Sequence, residues 1–408
     1  MQNKMGENKN IPQIRFIGFS GTWEERKLDD ISDDKYGGGT PKTSVESYWN
    51  GSIPWIQSSD LTEDELSNVY PRKFISEAGL RHSATKLVPQ NSIAIITRVG
   101  VGKLAYMPFS YTTSQDYLSL SKLNIDAWFS VYSIYKKIKG ELNAVQGTSI
   151  KGITKDELLS KCILIPNNPK EQSKIGTYFQ NLDKLITLQQ QKHDKLVTLK
   201  KAMLDKMFPK EGADVPEIRF KGFAGVWEER KLGEISESYS GGTPSVGISE
   251  FYNGNIPFIR SAEINCNSTE LYITELGLRN SSAKLVNGGC ILYALYGATS
   301  GEVGRSKLEG AINQAILAIK PSTGIDAEFI TQWLRKKKKV IISTYLQGGQ
   351  GNLSGSIVKN LNINLPCFEE QSQIGSYFQN LDKLISLHQQ EIQKLKNIKK
   401  ACLEKMFV

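Results

Sequence analysis

The chain has 408 residues, 39% hydrophobic and 23% charged, with a net charge of +9 at pH 7. Such a length and apolar content suffice for two domains with separate cores, and the modest positive balance has the sign that a polyanionic partner needs. No apolar run approaches the roughly 18 residues of a membrane span and the opening MQNKMGENKN is polar, so a soluble, cytoplasmic protein is expected.

Residues 1–10 read as a disordered N-terminus. From Ile11 to Leu28 the chain runs IPQIRFIGFSGTWEERKL, which returns as VPEIRFKGFAGVWEERKL from Val215 to Leu232. Likewise EQSKIGTYFQNLDKLI, from Glu171, returns as EQSQIGSYFQNLDKLI from Glu370. Two copies are too few for a solenoid. They indicate one domain duplicated into a pseudo-dimer, whose like ends share a structural job and whose unlike middles do separate recognition.

Residues 11–168 and 217–368 are the two mixed regions. In the first, the turns GGGTP (Gly37 to Pro41), WNGSIP (Trp49 to Pro54) and RVGVGK (Arg98 to Lys103) alternate with short apolar runs such as SIAIIT from Ser92. Short strands are expected there, and ISEAGLRHSATKL and AWFSVYSIYKKIKGEL carry helical spacing, so each region reads as α+β. A long helix follows each region, over 169–208 and 369–408. For the first helix, Asn168 is a suitable cap, Pro169 suits the first position, and Glu171 is expected to reach back to the cap's backbone N–H.

Apolar residues on these helices form a heptad seam, Ile175, Phe179, Leu182, Ile186, Leu196 and Met203 in one and Ile374, Phe378, Leu381, Ile385, Ile392 and Leu395 in the other. His193 and His388 read as polar positions on that seam. The linker, residues 209–216, spans at most roughly 28 Å. The second domain therefore begins near the far end of the first helix, and its own helix covers the seam only by running back. An antiparallel coiled coil in a dumbbell with pseudo-twofold symmetry is expected, the single-chain counterpart of an isologous dimer.

Catalytic patterns are missing from the sequence. It holds no GxxxxGK[ST] phosphate loop, no NPPY or DPPY, and no GxSxG, and its three histidines, His82, His193 and His388, are scattered. The cysteines, Cys162, Cys266, Cys290, Cys367 and Cys402, are never in CxxC spacing, which argues for free thiols over a disulfide framework or a zinc site. More specific is a turn motif that recurs: GGTP (again at Gly241 to Pro244), then aromatic-Asn-Gly, then Ile-Pro-aromatic-Ile at Ile53 to Ile56 and Ile256 to Ile259.

The order Trp23 and Leu28, GGTP, Tyr-Trp-Asn-Gly, Ile-Pro-Trp-Ile, Gly79 and Leu80, then EQxxIGxYFxxLDxLI, occurring twice, resembles the specificity subunits of type I restriction-modification systems. The resemblance runs from about Ile11 to Phe407. It implies two target recognition domains, each followed by a long helix, with the antiparallel helices acting as a ruler. It also implies a non-enzymatic subunit reading double-stranded DNA. Partner methyltransferase subunits, two of them about the pseudo-dyad, would bring S-adenosylmethionine, and restriction/translocase subunits would bring ATP and Mg.

Lys and Arg side chains would position each domain on phosphates while loop residues read base edges. The copies diverge over 57–74 against 260–273, and over 105–146 against 306–350. The expected DNA contacts are Ser58, Ser59, Arg98, Lys103, Thr148 and Lys151 in the first domain, and Arg260, Ser261, Tyr296, Arg305, Gln350 and Asn352 in the second. The basic run Arg335 to Lys339 reads equally as a phosphate contact or a solvated helix face. Unlike middles imply an asymmetric bipartite site, and a helix about 55 Å long leaves a spacer on the order of 7 base pairs. The rival readings are a two-headed protein scaffold without DNA binding and a duplicated hydrolase.

Overall fold

The computed structural model describes residues 10–144, 152–346 and 352–408. Of the stretch 1–10 expected to be disordered, 1–9 lie outside the described residues, while the Asn10 carbonyl accepts the Trp23 N–H at 2.8 Å. The chain divides into two units, one of Met1–Gln190 with Gln390–Val408 and the other of Gln191–Gln389.

The first unit runs β1 (Glu24–Lys27), β2 (Ser32–Gly37), β3 (Ile53–Ile56), β4 (Lys73–Ile75), α1 (Glu77–Arg81), β5 (Ser92–Ile96), β6 (Leu104–Met107), β7 (Thr112–Thr113), β8 (Tyr117–Leu123), α2 (Ala127–Ala144), α3 (Lys155–Ser160) and β9 (Cys162–Ile165). Next comes α4 (Pro169–Lys206), whose later part belongs to the second unit. The second unit repeats the plan: β10 (Glu228–Lys231), β11 (Ser236–Ser240), β12 (Tyr252–Ile259), β13 (Tyr272–Ile273), α5 (Glu275–Arg279), β14 (Lys284–Val286), β15 (Ile291–Ala294), β16 (Val303–Arg305), β17 (Gly310–Ile312), β18 (Ile316–Pro321), α6 (Ala327–Tyr345), α7 (Gly355–Lys359) and β19 (Asn362–Leu365). It is followed by α8 (Phe368–Met406).

Each unit holds an antiparallel four-stranded sheet, ordered β2-β8-β5-β6 or β11-β18-β15-β16. A second sheet, three-stranded β4-β3-β7 in the first unit and four-stranded β13-β12-β17-β14 in the second, contains one parallel pair, β3 with β7 or β12 with β17. A third pairing, β1 with β9 and β10 with β19, ties the start of each mixed region to its end. Strand β5, SIAII, is buried at every position because both of its faces are covered. Ile93 and Ile95 join the core formed with α2 and α4, while Ala94 and Ile96 join the core on the opposite face with Ile56 and Tyr111. The same alternation sends Ile291 and Tyr293 one way and Leu292 and Ala294 the other.

The helical spacing read over ISEAGLRHSATKL yields only the short α1, whose first turn is capped by Ser76 Oγ accepting the Gly79 N–H at 3.2 Å. Helix α4 does begin at Pro169, with Asn168 Oδ1 accepting the Lys170 N–H at 3.0 Å. Glu171, however, closes no capping box. Its two carboxylate oxygens accept from Arg15, at 2.6 and 2.7 Å, and the side chain is fully buried. An arginine brought from 156 residues away outcompetes the local backbone N–H because a buried carboxylate gains most from a bidentate cation. Arg219 holds Glu370 in the same way, at 2.8 and 2.6 Å. The glycine of each EQxxIG segment lies where the helix crosses its own domain. A Cβ on Gly176 would sit 2.7 Å from the Phe129 backbone nitrogen, and one on Gly375 would sit 2.6 Å from Asp326 Oδ1.

Within each unit, α4 and α8 pair antiparallel. In the first unit Tyr178 meets Cys402 at 3.4 Å and Asp183 pairs with Lys399 at 2.6 Å, so partners fall in number along α8 as they rise along α4. In the second unit Lys200 pairs with Asp382 at 2.5 Å and Phe208 packs on Phe378. The seam has a second task. Ile175, Phe179 and Leu182 are buried in their own domain's core, with Ile186 packed at its edge, and Ile374, Phe378 and Leu381 do likewise. The covering residues are Leu395 in the first unit and the half-buried Leu196 and Met203 in the second. Ile392 is buried and Ile385 half-buried.

Two residues that the seam pattern omits close these cores. Phe407, just past α8, packs 5.4 Å from Phe129, 5.5 Å from Phe179 and 6.3 Å from Trp23. Phe208, just past α4, meets Phe329 at 5.0 Å, Phe378 at 6.1 Å and Trp227 at 6.2 Å. Their carbonyls accept from Lys136 and Lys336, at 2.7 and 3.1 Å. Burial, with Lys337 and Lys210 adding repulsion, pulls the Lys336 ammonium down to about 8. No described helix is long and apolar enough to cross a membrane.

Candidate nucleic-acid interface

The turn after each parallel-paired strand is one place where the two units differ. In the first unit Ser58 and Ser59 lie in the turn after β3, half-buried and exposed respectively. The turn is closed by Asp60, whose Oδ2 accepts the Gln57 N–H at 2.9 Å. Asp60 is buried, and Arg72 Nε reaches its Oδ1 at 3.1 Å. Arg72 also donates to the Ser59 carbonyl at 2.6 Å. Tyr117 donates to the Gln57 carbonyl at 3.0 Å, and burial together with the Asp60 carboxylate raises its phenol pKa, so it stays a donor.

In the second unit Arg260 and Ser261 open the equivalent turn, and Glu263 takes the carboxylate position. Arg260 binds Glu263 at 2.8 Å and Glu270 at 2.6 Å. Burial pushes the Glu263 carboxyl up, but Arg260, two backbone N–H groups and the Thr269 hydroxyl outweigh it and bring it down to about 2.

The remaining expected contacts fare unevenly. Arg98 is exposed and lines a cleft of about 810 Å³ with Gln115, Asp116, Gly152 and Lys155. Lys103 is half-buried and donates to the Leu61 carbonyl at 3.1 Å. Arg305 donates to the Gly289 carbonyl at 2.5 Å and lies 3.5 Å from Glu328. Tyr296 and Asn352 meet in an isolated β-bridge. Thr148, Lys151 and Gln350 lie outside the described residues. The structure thus places Arg98 at an open cleft but engages Arg260, Arg305 and Lys103 within the protein.

The basic run on α6 is largely internal. Arg335 binds Asp382 at 2.8 Å, Lys336 holds Phe208, and Lys338 pairs with Glu302, leaving Lys339 as its exposed member. The sequence reading did not single out Arg72, at the first turn, or Gln115 and Lys155, at the cleft. For Gln115 a signal existed, because Gln314 stands at the same place in the second copy. No group of three His, Cys, Asp or Glu placed to hold a metal occurs among the described residues.

A mixed α+β module, built twice on the same buried ion pair and aromatic core, with unlike side chains on matching turns, defines a duplicated two-domain protein. Residues 20–198 and 225–397 match the family model of the type I restriction modification DNA specificity domain, and the chain belongs to that family. It is 26% identical, over 94% of its length and 92% of the relative's, to the specificity subunit of the type I restriction enzyme MjaIX of Methanocaldococcus jannaschii. It is 34% identical over 38% of each chain to that of EcoR124I/EcoR124II from Escherichia coli. In fold it resembles the S subunit of a type I system from M. genitalium, at a TM-score of 0.64 and 16% identity over 98% of this chain and 99% of that one.

Proposed function

We propose that the chain is the non-catalytic specificity subunit of a type I restriction-modification complex and reads a bipartite, asymmetric DNA site. Each unit presents one target recognition domain to one half-site, and the paired helices set the spacer between them. The observation that carries this reading is the contrast inside the molecule. The Arg–Glu pair, the helix glycine and the core-closing phenylalanine recur in both units, while the turns at Gln57–Asp60 and Arg260–Glu263 share one backbone shape but carry unlike side chains and take their cation from different places, Arg72 or Arg260. A shared frame with unlike loops fits two half-sites of unlike sequence better than it fits a duplicated active site, where like polar groups are needed.

Methyltransferase subunits, two of them, would bind along the helices and bring S-adenosylmethionine. Restriction/translocase subunits would bring ATP and Mg, and the assembly would work in the cytoplasm. The purified chain is expected neither to methylate nor to cleave DNA, and to direct methylation of one asymmetric site once its cognate methyltransferase subunits are added. Methyl transfer by the chain alone contradicts the proposal. So does the absence of salt-dependent binding to duplex DNA by the assembled complex, which is the behaviour of a protein scaffold.

A further inference from the structure

The recurring GGTP turn has a use beyond reversing the chain. Thr40, its threonine, donates its hydroxyl to Gln115 Oε1 at 2.7 Å, and Thr243 donates to Gln314 Oε1 at 2.6 Å. All four side chains are exposed. The two glycines before each threonine make this approach feasible, the first letting the turn lie on the loop that carries the glutamine and the second letting it pass the loop after α1 or α5. A Cβ on Gly39 would sit 2.5 Å from the Thr85 backbone nitrogen, one on Gly242 would sit 2.6 Å from Ser282 Cβ, and those on Gly38 and Gly241 would strike the Ser114 and Ile312 carbonyls. The Gly39 N–H also donates to the Thr113 carbonyl at 2.8 Å.

The hydroxyl bond fixes which way the amide faces. With Oε1 accepting from threonine, each glutamine turns its Nε2 and two N–H donors away from the turn. Neither Nε2 has a partner among the described residues. Gln115 moreover lines the cleft that holds Arg98 and Lys155, where Asp116 is the one acidic residue among the described lining residues. An oriented, solvent-exposed donor in a cleft that also carries two cations is complementary to an anionic oxygen.

Resting on the DNA reading above, we infer that Gln115 and Gln314 are a matched pair of phosphate contacts, each donating its threonine-oriented amide to a backbone phosphodiester oxygen at its own half-site. The same pair stands in two domains whose neighbouring turns differ. What two unlike half-sites share is the backbone, not the bases, and phosphate contacts fix register without reading sequence.

The test compares Gln→Glu with Thr→Val in the full-length chain assembled with its cognate methyltransferase subunits. Gln115→Glu and Gln314→Glu keep an acceptor for the threonine hydroxyl but replace the outward donor with an anion. Thr40→Val and Thr243→Val keep the donor but release its orientation. Affinity is measured for the cognate duplex and for an equally long duplex with both half-sites scrambled, alongside thermal unfolding. Each Gln→Glu change is expected to weaken both duplexes by roughly tenfold or more, and the double variant by about the product, with an unchanged unfolding midpoint. Each Thr→Val change is expected to cost only a few-fold. Three results overturn the inference while leaving the DNA reading intact: wild-type affinity in the Gln→Glu variants, loss confined to the cognate duplex, or Thr→Val variants that unfold early while Gln→Glu variants bind normally. Failure of the wild-type complex to bind either duplex removes both.

Discussion

The two units close the same turn with a buried carboxylate but neutralise it from different directions. Asp60 receives Arg72 from the far end of the following loop, whereas Glu263 receives Arg260 from the head of the turn itself. By contrast, the pairs Arg15–Glu171 and Arg219–Glu370 are held alike, down to second bonds from each arginine to carbonyls of its own arm, Gly21 and Gly225. A buried acid must be paired, but the turn tolerates any cation that reaches it. Its outer face is therefore free to change, while the junction of arm and helix is not.

The largest effect that would break the comparison is at the helices. Leu182 and Leu381 are both buried, so Leu182→Asp with Leu381→Asp places a charge in each core at about 4 kcal/mol or more per site. Assembly with methyltransferase subunits is expected to be lost, as size-exclusion chromatography of the mixed subunits would report. Wild-type assembly would mean that these leucines do not seal the helix–domain cores as described.

Next in size is a pair of truncations that act on opposite units. Phe407→Ala removes a ring packed on Trp23, Phe129 and Phe179, and Phe208→Ala one packed on Trp227, Phe329 and Phe378, each at about 3–5 kcal/mol. Hydrogen exchange should speed in β5 and α2 for the first variant and in β15 and α6 for the second. Equal loosening of both units by either variant would deny that each helix end serves one core.

The smallest effect sharpens the difference between the two turns. The Glu263 carboxyl lies at about 2, below its ordinary 4.5, because of Arg260 and the hydrogen bonds around it. A depressed acid contributes stability that is present above pH 4.5 and is lost as pH falls toward 2. The stability gap between wild type and Glu263→Gln should thus be widest above pH 4.5 and close on acidification, as urea unfolding at a series of pH values would show. A gap that does not change with pH would remove the ion pair from the account.

Local chemistry made some of this legible in the sequence. Duplicated segments announce two like units, Asn168 and Pro169 mark where α4 starts, and the apolar run Ser92–Ile96 reads as a buried strand. Side-chain direction was not legible, because it depends on partners far away in sequence. Glu171 turns to Arg15 and not to its own cap. Arg260, Arg305 and Arg335 look like free cations in a string of letters, yet each meets an acid inside its unit. The heptad pattern gave the helices a single purpose, whereas Phe179 and Phe378 also seal the domains from which their helices emerge.

The central claim, that two unlike domains read two half-sites across a spacer set by the paired helices, is tested most directly by shortening both helices by one heptad. Deleting Gln189 to Lys195 together with His388 to Lys394 keeps the seam in phase and removes roughly 10 Å of helix. Methylome sequencing of cells carrying this variant and its partner subunits should return the same two half-sites with a spacer shorter by about 3 base pairs. An unchanged spacer at normal activity would contradict the account.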